Sequence, residues 1–233
     1  MMTNNDDPER VAEADSATDN HPVPESDLQP SGERRRNEEH AARMRRRKAA
    51  FDSAQARAVA EKGLIIVHTG GGKGKTSAAL GMVFRALGHG MRVGVVQFTK
   101  GAIETGEAAF ARELGDRLDF HVTGEGYTWE TQDRERDTVV AREGWALARQ
   151  MIADPDYDLI VLDELNIVLK YDYLPLDEVL AVLRGKRADL HVVVTGRAAR
   201  DELVELADLV TEMRLVKHPY RTQGVKAQKG IEY

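Results

Sequence analysis

Eight consecutive residues, Thr69-Gly70-Gly71-Gly72-Lys73-Gly74-Lys75-Thr76, limit what this chain can fold into more than any other stretch of it. They stand between an apolar run at 64–68 and a segment, 75–87, in which Ala79, Leu80, Val83, Phe84 and Leu87 recur at helical spacing. Strand, glycine-rich loop and helix in that order predict a loop that wraps a phosphate chain. Glycines let successive backbone N–H groups turn inward around an oxyanion with no Cβ in the way, and the start of the helix adds partial positive charge. Lys75 brings a mobile full charge and Thr76 a hydroxyl suited to Mg²⁺. All eight residues are therefore candidates for binding ATP or GTP, although Thr69 stands where such loops usually begin with glycine.

A second element fits the first. The run Asp158-Leu159-Ile160-Val161-Leu162-Asp163-Glu164 is an apolar strand that ends in two carboxylates. In a parallel sheet that end shares an edge with the phosphate loop, so Asp163 and Glu164 are candidate metal residues; the alternative is that one of them only caps the helix that follows. Further apolar runs occur at 92–98, 118–122 and 191–195, with a sixth at 210–216. A second amphipathic segment, 133–152, places Val140, Trp145, Ala148 and Ile152 on one face. The alternation predicts an α/β fold, a three-layer sandwich with a central, mostly parallel sheet. Strand order is not encoded in such patterns.

Three regions follow from composition. Residues 1–30 carry eight acidic residues against one basic and few large apolar ones, which predicts a disordered acidic tail over 1–32. Between 33 and 62 the residues are helix formers without glycine or proline until Gly63, with eight basic residues in 34–48 and only Met44 and Phe51 large and apolar in the helix's first two-thirds. That predicts a helix too polar for a core. The globular domain is expected at 63–233. A formal net charge of −6 argues against general nucleic-acid binding. The chain has no cysteine, which excludes disulfides, thiolate metal sites and cysteine nucleophiles, and any electron it needs must come from a partner. A polar, acidic start and the lack of any apolar run of membrane-span length lead us to expect a cytoplasmic protein with no membrane partner.

A phosphate loop does not say which bond breaks. Other motifs do. Gln97-Phe98-Thr99-Lys100-Gly101, Thr128-Trp129-Glu130-Thr131-Gln132-Asp133, Leu162-Asp163-Glu164-Leu165-Asn166 and Thr195-Gly196-Arg197 follow the loop in order. Ala207-Asp208-Leu209-Val210-Thr211-Glu212-Met213, Lys217-His218 and Lys226-Ala227-Gln228-Lys229-Gly230-Ile231-Glu232-Tyr233 complete the set. Together they resemble the corrinoid adenosyltransferases of the cobalamin-biosynthesis type, whose loop reads T-G-N-G-K-G-K-T; the resemblance spans 33–233, with Gly71 in place of the asparagine.

That resemblance implies attack of a Co(I) corrinoid on the 5′-carbon of ATP, with inorganic triphosphate leaving, in adenosylcobalamin biosynthesis or salvage. It implies a P-loop NTPase (RecA-like) fold, ATP bound in reversed orientation, and Lys75 and Mg²⁺ stabilising the leaving group. Tyr127 and Trp129 of the G-x-T-W segment are implied to wall the corrin and keep an axial ligand off the metal; tyrosine stands here where the family has phenylalanine. Read without the family, Trp129 is an ordinary core aromatic. Lys100, Gln132 and Arg197 lie after strand ends and join the nucleotide-binding set, Arg197 having the alternative of pairing with a neighbouring acid. His218 fits no metal-ligand spacing and is expected to be a surface or hydrogen-bonding histidine. The helix at 33–62 is implied to cover the corrinoid site of the partner subunit in a homodimer, and otherwise reads as a solvated helix of alternating charge. With no redox residue in the chain, an electron-donating flavoprotein reductase is an expected partner. The competing functions are a kinase or hydrolase cutting a phosphoanhydride, a non-catalytic cofactor carrier, and a nucleic-acid motor whose basic helix tracks a backbone.

Overall fold

The structure, a computed structural model, describes residues 31–99, 105–123 and 133–232. It divides into two compact units, Met1–Ala60 and Glu61–Tyr233. The described part of the first is one helix, α1 (Ser31–Arg57), with Glu33 in its first turn and Arg57 in its last, each complementing the helix dipole. Exposed pairs Arg35–Glu39 and Lys48–Asp52 run along it. The helix stops five residues short of the expected 62. In the second unit Lys62 is paired with Asp208 and the Gly63 N–H donates to the Ala188 carbonyl, so this stretch is committed to the sheet edge and cannot continue a helix.

The second unit is built on six parallel strands, β1 (Ile65–Thr69), β2 (Val93–Gln97), β3 (Leu118–Val122), β4 (Leu159–Asp163), β5 (His191–Thr195) and β6 (Leu209–Glu212), in the order β3-β2-β4-β5-β1-β6. Around it lie α2 (Lys75–Gly88), α3 (Gly106–Ala111), α4 (Arg134–Ala153), α5 (Leu165–Lys170), α6 (Leu176–Arg184), α7 (Asp201–Leu206) and α8 (Pro219–Gln223). The four inner strands β1, β2, β4 and β5 are rich in Val, Ile and Leu because both their faces are covered, whereas the edge strands β3 and β6 are more polar and more exposed. Ile66, Val95, Val161 and Val193 pack with Ala79 and Val83 of α2, while Val67, Val96, Leu162 and Val194 pack with Trp145 and Ala148 of α4 and Leu183 of α6. This is the three-layer α/β sandwich expected, and the strand carrying the loop is separated from the carboxylate strand by β5.

Several bounds differ from those expected, for one reason: the hydrogen-bonded ladder, rather than the apolar run, ends a strand. Thr69 and Asp163 are polar yet pair with Glu212 and Gln97. β6 stops at Glu212 instead of 216 because Met213 turns to donate its N–H to the Thr69 carbonyl and to accept from the Gly72 N–H. Phe84, expected on the buried face of α2, is 75% exposed. Ala79, Val83 and Ala86 form the buried seam, and Phe84 stands on the helix face turned away from it. No helix among the described residues is long and apolar enough to cross a membrane.

Candidate active site

Parallel strands deliver their C-terminal ends to one edge, and there the chemistry converges. Thr69 closes β1, and the loop turns through Gly70 (φ +94°) and Gly74 (φ +103°), both in the left-handed region, before α2 begins at Lys75. The Thr69 hydroxyl accepts from the Ala199 N–H at 3.1 Å. A threonine in the first glycine position thus ties the loop to the turn after β5, which carries Arg197. The back of the loop rests on the chain leaving β6, with the Gly72 N–H donating to the Met213 carbonyl at 2.6 Å.

Lys75 is 6% exposed and folds over the loop, its ammonium donating to the carbonyls of Gly72 (2.6 Å) and Gly70 (3.1 Å). Burial holds its pKa below the ordinary lysine value, with Glu164 and Asp163 opposing that shift and Arg197 and Lys73 reinforcing it. The sign gives a test. The charged form needed to hold a polyphosphate is lost as pH rises through a value below 10.5, so affinity for ATP in excess chelator should fall there by up to about tenfold per pH unit. Titrations from pH 7 upward check this, and affinity unchanged up to pH 10.5 would count against a binding role for the ammonium.

Beside the loop, a polar row crosses the sheet on the face toward α2. Side chains alternate along a strand, so the residues two beyond Ile66, Val95, Val161 and Val193 point the same way: His68, Gln97, Asp163 and Thr195. Gln97 is in register with Asp163, and His68 with Thr195. Asp163, 1% exposed, is the hub. Its Oδ1 accepts from the hydroxyls of Thr76 (2.8 Å) and Thr195 (2.6 Å), and its Oδ2 from Gln97 Nε2 (2.9 Å). Glu164 follows with φ 63°, and its N–H donates to the Thr195 hydroxyl at 3.0 Å. A non-glycine residue there carries strain of about 1–3 kcal/mol, and Ala198 on the neighbouring turn shares the conformation with φ 54°. Neither carboxylate caps α5, since Glu164 occupies the cap position without a side-chain bond to the helix.

The structure brings together Thr69, Gly70, Gly71, Gly72, Lys73, Gly74, Lys75, Thr76, Asp163 and Glu164. Arg197 is exposed on the turn after β5, near enough for its charge to act on Lys75. Lys73 pairs with Glu232, whose carboxyl is held below the usual glutamate value by that bond. Lys100, Tyr127, Trp129 and Gln132 lie outside the described residues. His218 is half-buried and accepts from the Tyr220 N–H, capping α8. Sequence reasoning missed Gln97, Thr195, His68 and Glu232 as site residues. The signal was present for three of them: a polar residue closing an apolar run. His68 is 6% exposed, its ring nitrogens have no partner among the described residues, and burial lowers its pKa.

Comparison with known proteins bears on this edge directly. A family described as "ATP:corrinoid adenosyltransferase BtuR/CobO/CobP" matches residues 61–233. The chain is 56% identical over 198 residues to a corrinoid adenosyltransferase of Pseudomonas aeruginosa, covering 85% of this chain and 97% of that one. A corrinoid adenosyltransferase of Sinorhizobium sp is 50% identical over 196 residues, covering 83% and 91%. One from Escherichia coli K12 is 47% identical over 197 residues, covering 84% and 99%.

Proposed function

The chain belongs to the ATP:corrinoid adenosyltransferase family, and on that premise we propose that it moves the 5′-deoxyadenosyl group of ATP onto the Co(I) of a corrinoid and releases inorganic triphosphate. The observation that carries this is the family match across 61–233, the stretch that holds the loop, Lys75, Thr76 and Asp163. The electron pair of Co(I) forms the bond to C5′, and the C5′–O bond breaks with its pair going to the triphosphate. No proton has to move, so the chain's tasks are alignment and stabilisation of the leaving group. Loop N–H groups and Lys75 serve the second task. Lys75 exchanges the carbonyls of Gly70 and Gly72 for triphosphate oxygens, and Arg197, Lys100 and Gln132 extend the binding set.

The donor set beside the loop suits Mg²⁺, which takes hard oxygen ligands and binds through one or two carboxylates plus substrate phosphates. Thr76, Asp163 and Glu164 would hold it, the Thr76 hydroxyl already lying 2.8 Å from the Asp163 carboxylate. When bound it would neutralise charge on the triphosphate. On the corrinoid side, Tyr127 and Trp129 form the wall that keeps an axial ligand from the metal. The N-terminal helix α1 covers that site from the partner subunit of a homodimer. The reductant is a flavoprotein, the setting is the cytoplasm, and the pathway is adenosylcobalamin biosynthesis or salvage.

Anaerobic incubation with Mg-ATP, a corrinoid and a strong chemical reductant tests the reading. The expected result is a light-sensitive adenosylcorrinoid with stoichiometric triphosphate. Orthophosphate without a change in the corrin spectrum would make the chain a hydrolase instead, and neither product would leave a carrier.

A further inference from the structure

Gln97, like His68, is a member of the polar row whose presence packing does not explain, and it is the one that bonds the Asp163 carboxylate. It is fully buried at the end of β2, and its Oε1 has no partner among the described residues. A buried carbonyl without a partner costs about 1–3 kcal/mol, which an apolar side chain of the same length would avoid. Among the described residues the amide is held in that orientation by the bond its nitrogen makes to Oδ2 of Asp163 at 2.9 Å. Rotation of an aspartate about χ2 is a broad, soft torsion, so donors on both oxygens are needed to set the carboxylate plane. Thr76 and Thr195 hold Oδ1, and Gln97 holds Oδ2.

We propose that Gln97 is a positioning residue for metal-bound nucleotide: its N–H keeps Oδ2 of Asp163 engaged so that Oδ1 stays turned toward Thr76 and the triphosphate. This rests on the reading of Asp163 as a Mg²⁺ residue. The backbone around it serves the same end. The Phe98 N–H donates to the Asp163 carbonyl at 3.0 Å, and the Gln97 carbonyl accepts from the Thr123 N–H at 2.9 Å. β2 therefore fixes the Asp163 main chain and side chain together.

The test uses the full chain and two titrations, ATP in excess Mg²⁺ and ATP in excess chelator. Gln97→Met keeps the length of the side chain and removes the donor. The expected result is that Mg-ATP binds about tenfold more weakly, the worth of one hydrogen bond to a charged group, while metal-free ATP binds nearly as before. An unchanged ratio of the two affinities, or an equal loss in both, overturns the proposal, because a merely structural role would not single out the metal complex. Should Gln97→Met fail to fold, Gln97→Asn withdraws the donor on a shorter arm and is read by the same ratio. Asp163→Asn separates the two levels. If Mg²⁺ strengthens ATP binding there as in the wild type, the metal reading fails and the Gln97 inference with it. Loss of the Mg²⁺ effect in Asp163→Asn but not in Gln97→Met defeats the Gln97 inference alone.

Discussion

Lys75→Ala should lower kcat/KM for adenosyl transfer by about a thousandfold, the scale seen when a preorganised donor to a developing anion is removed. Lys75 is the buried cation of the loop, and charge builds on the triphosphate as the C5′–O bond breaks. Its stabilisation is therefore greater in the transition state than in the bound substrate, so kcat should fall along with affinity. The fold should survive, because among the described residues the ammonium bonds only the loop's own carbonyls of Gly70 and Gly72, which water can solvate in its absence. Lys75→Arg should not restore activity, since a planar guanidinium cannot occupy the point between two carbonyls that an ammonium fills. Steady-state kinetics with thermal unfolding as the control measure this. A loss below tenfold would mean that the leaving group is stabilised elsewhere.

Gly70→Ala and Gly71→Asn should differ sharply although the positions are adjacent. A Cβ on Gly70 would lie 2.6 Å from the Met213 carbonyl oxygen and 2.9 Å from its nitrogen, and φ is +94°. Neither obstacle can yield cheaply, because Met213 is bonded on both sides to the loop through Thr69 and Gly72. Strain and overpacking together should cost about 3 kcal/mol, and the displaced loop should lose ATP affinity. A Cβ on Gly71 meets nothing within 4 Å. Gly71→Asn, which restores the asparagine of the family pattern, should stay within about 0.5 kcal/mol of the wild type. Denaturant unfolding and ATP titration of both variants decide it; equal behaviour would show that the contact with Met213 does not shape the loop.

The contrast between those glycines shows where sequence reading stops. Gly70 and Gly71 are indistinguishable in a run of three, and only the chain leaving β6, more than 140 residues on, tells them apart. The same holds for Thr69, a departure from the usual loop when read along the chain and a link to Ala199 when read in space. Phe84 shows the reverse limit. Its spacing is helical and its helix is real, yet the helix docks through Ala79, Val83 and Ala86, which leaves Phe84 in solvent.

The sequence alone determined the strand–loop–helix unit, the carboxylate strand, two amphipathic helices, the layered α/β class and the family. Those properties are local or additive: hydrophobic periodicity, glycine geometry and ordered motifs are legible within a few residues. The tertiary structure alone decided the order β3-β2-β4-β5-β1-β6 and, through it, which side chains meet. Gln97 and Thr195 reach Asp163 from 66 and 32 residues away. They meet because parallel strands joined by crossovers bring distant ends to one edge, and no periodicity within a strand records which strand lies beside it.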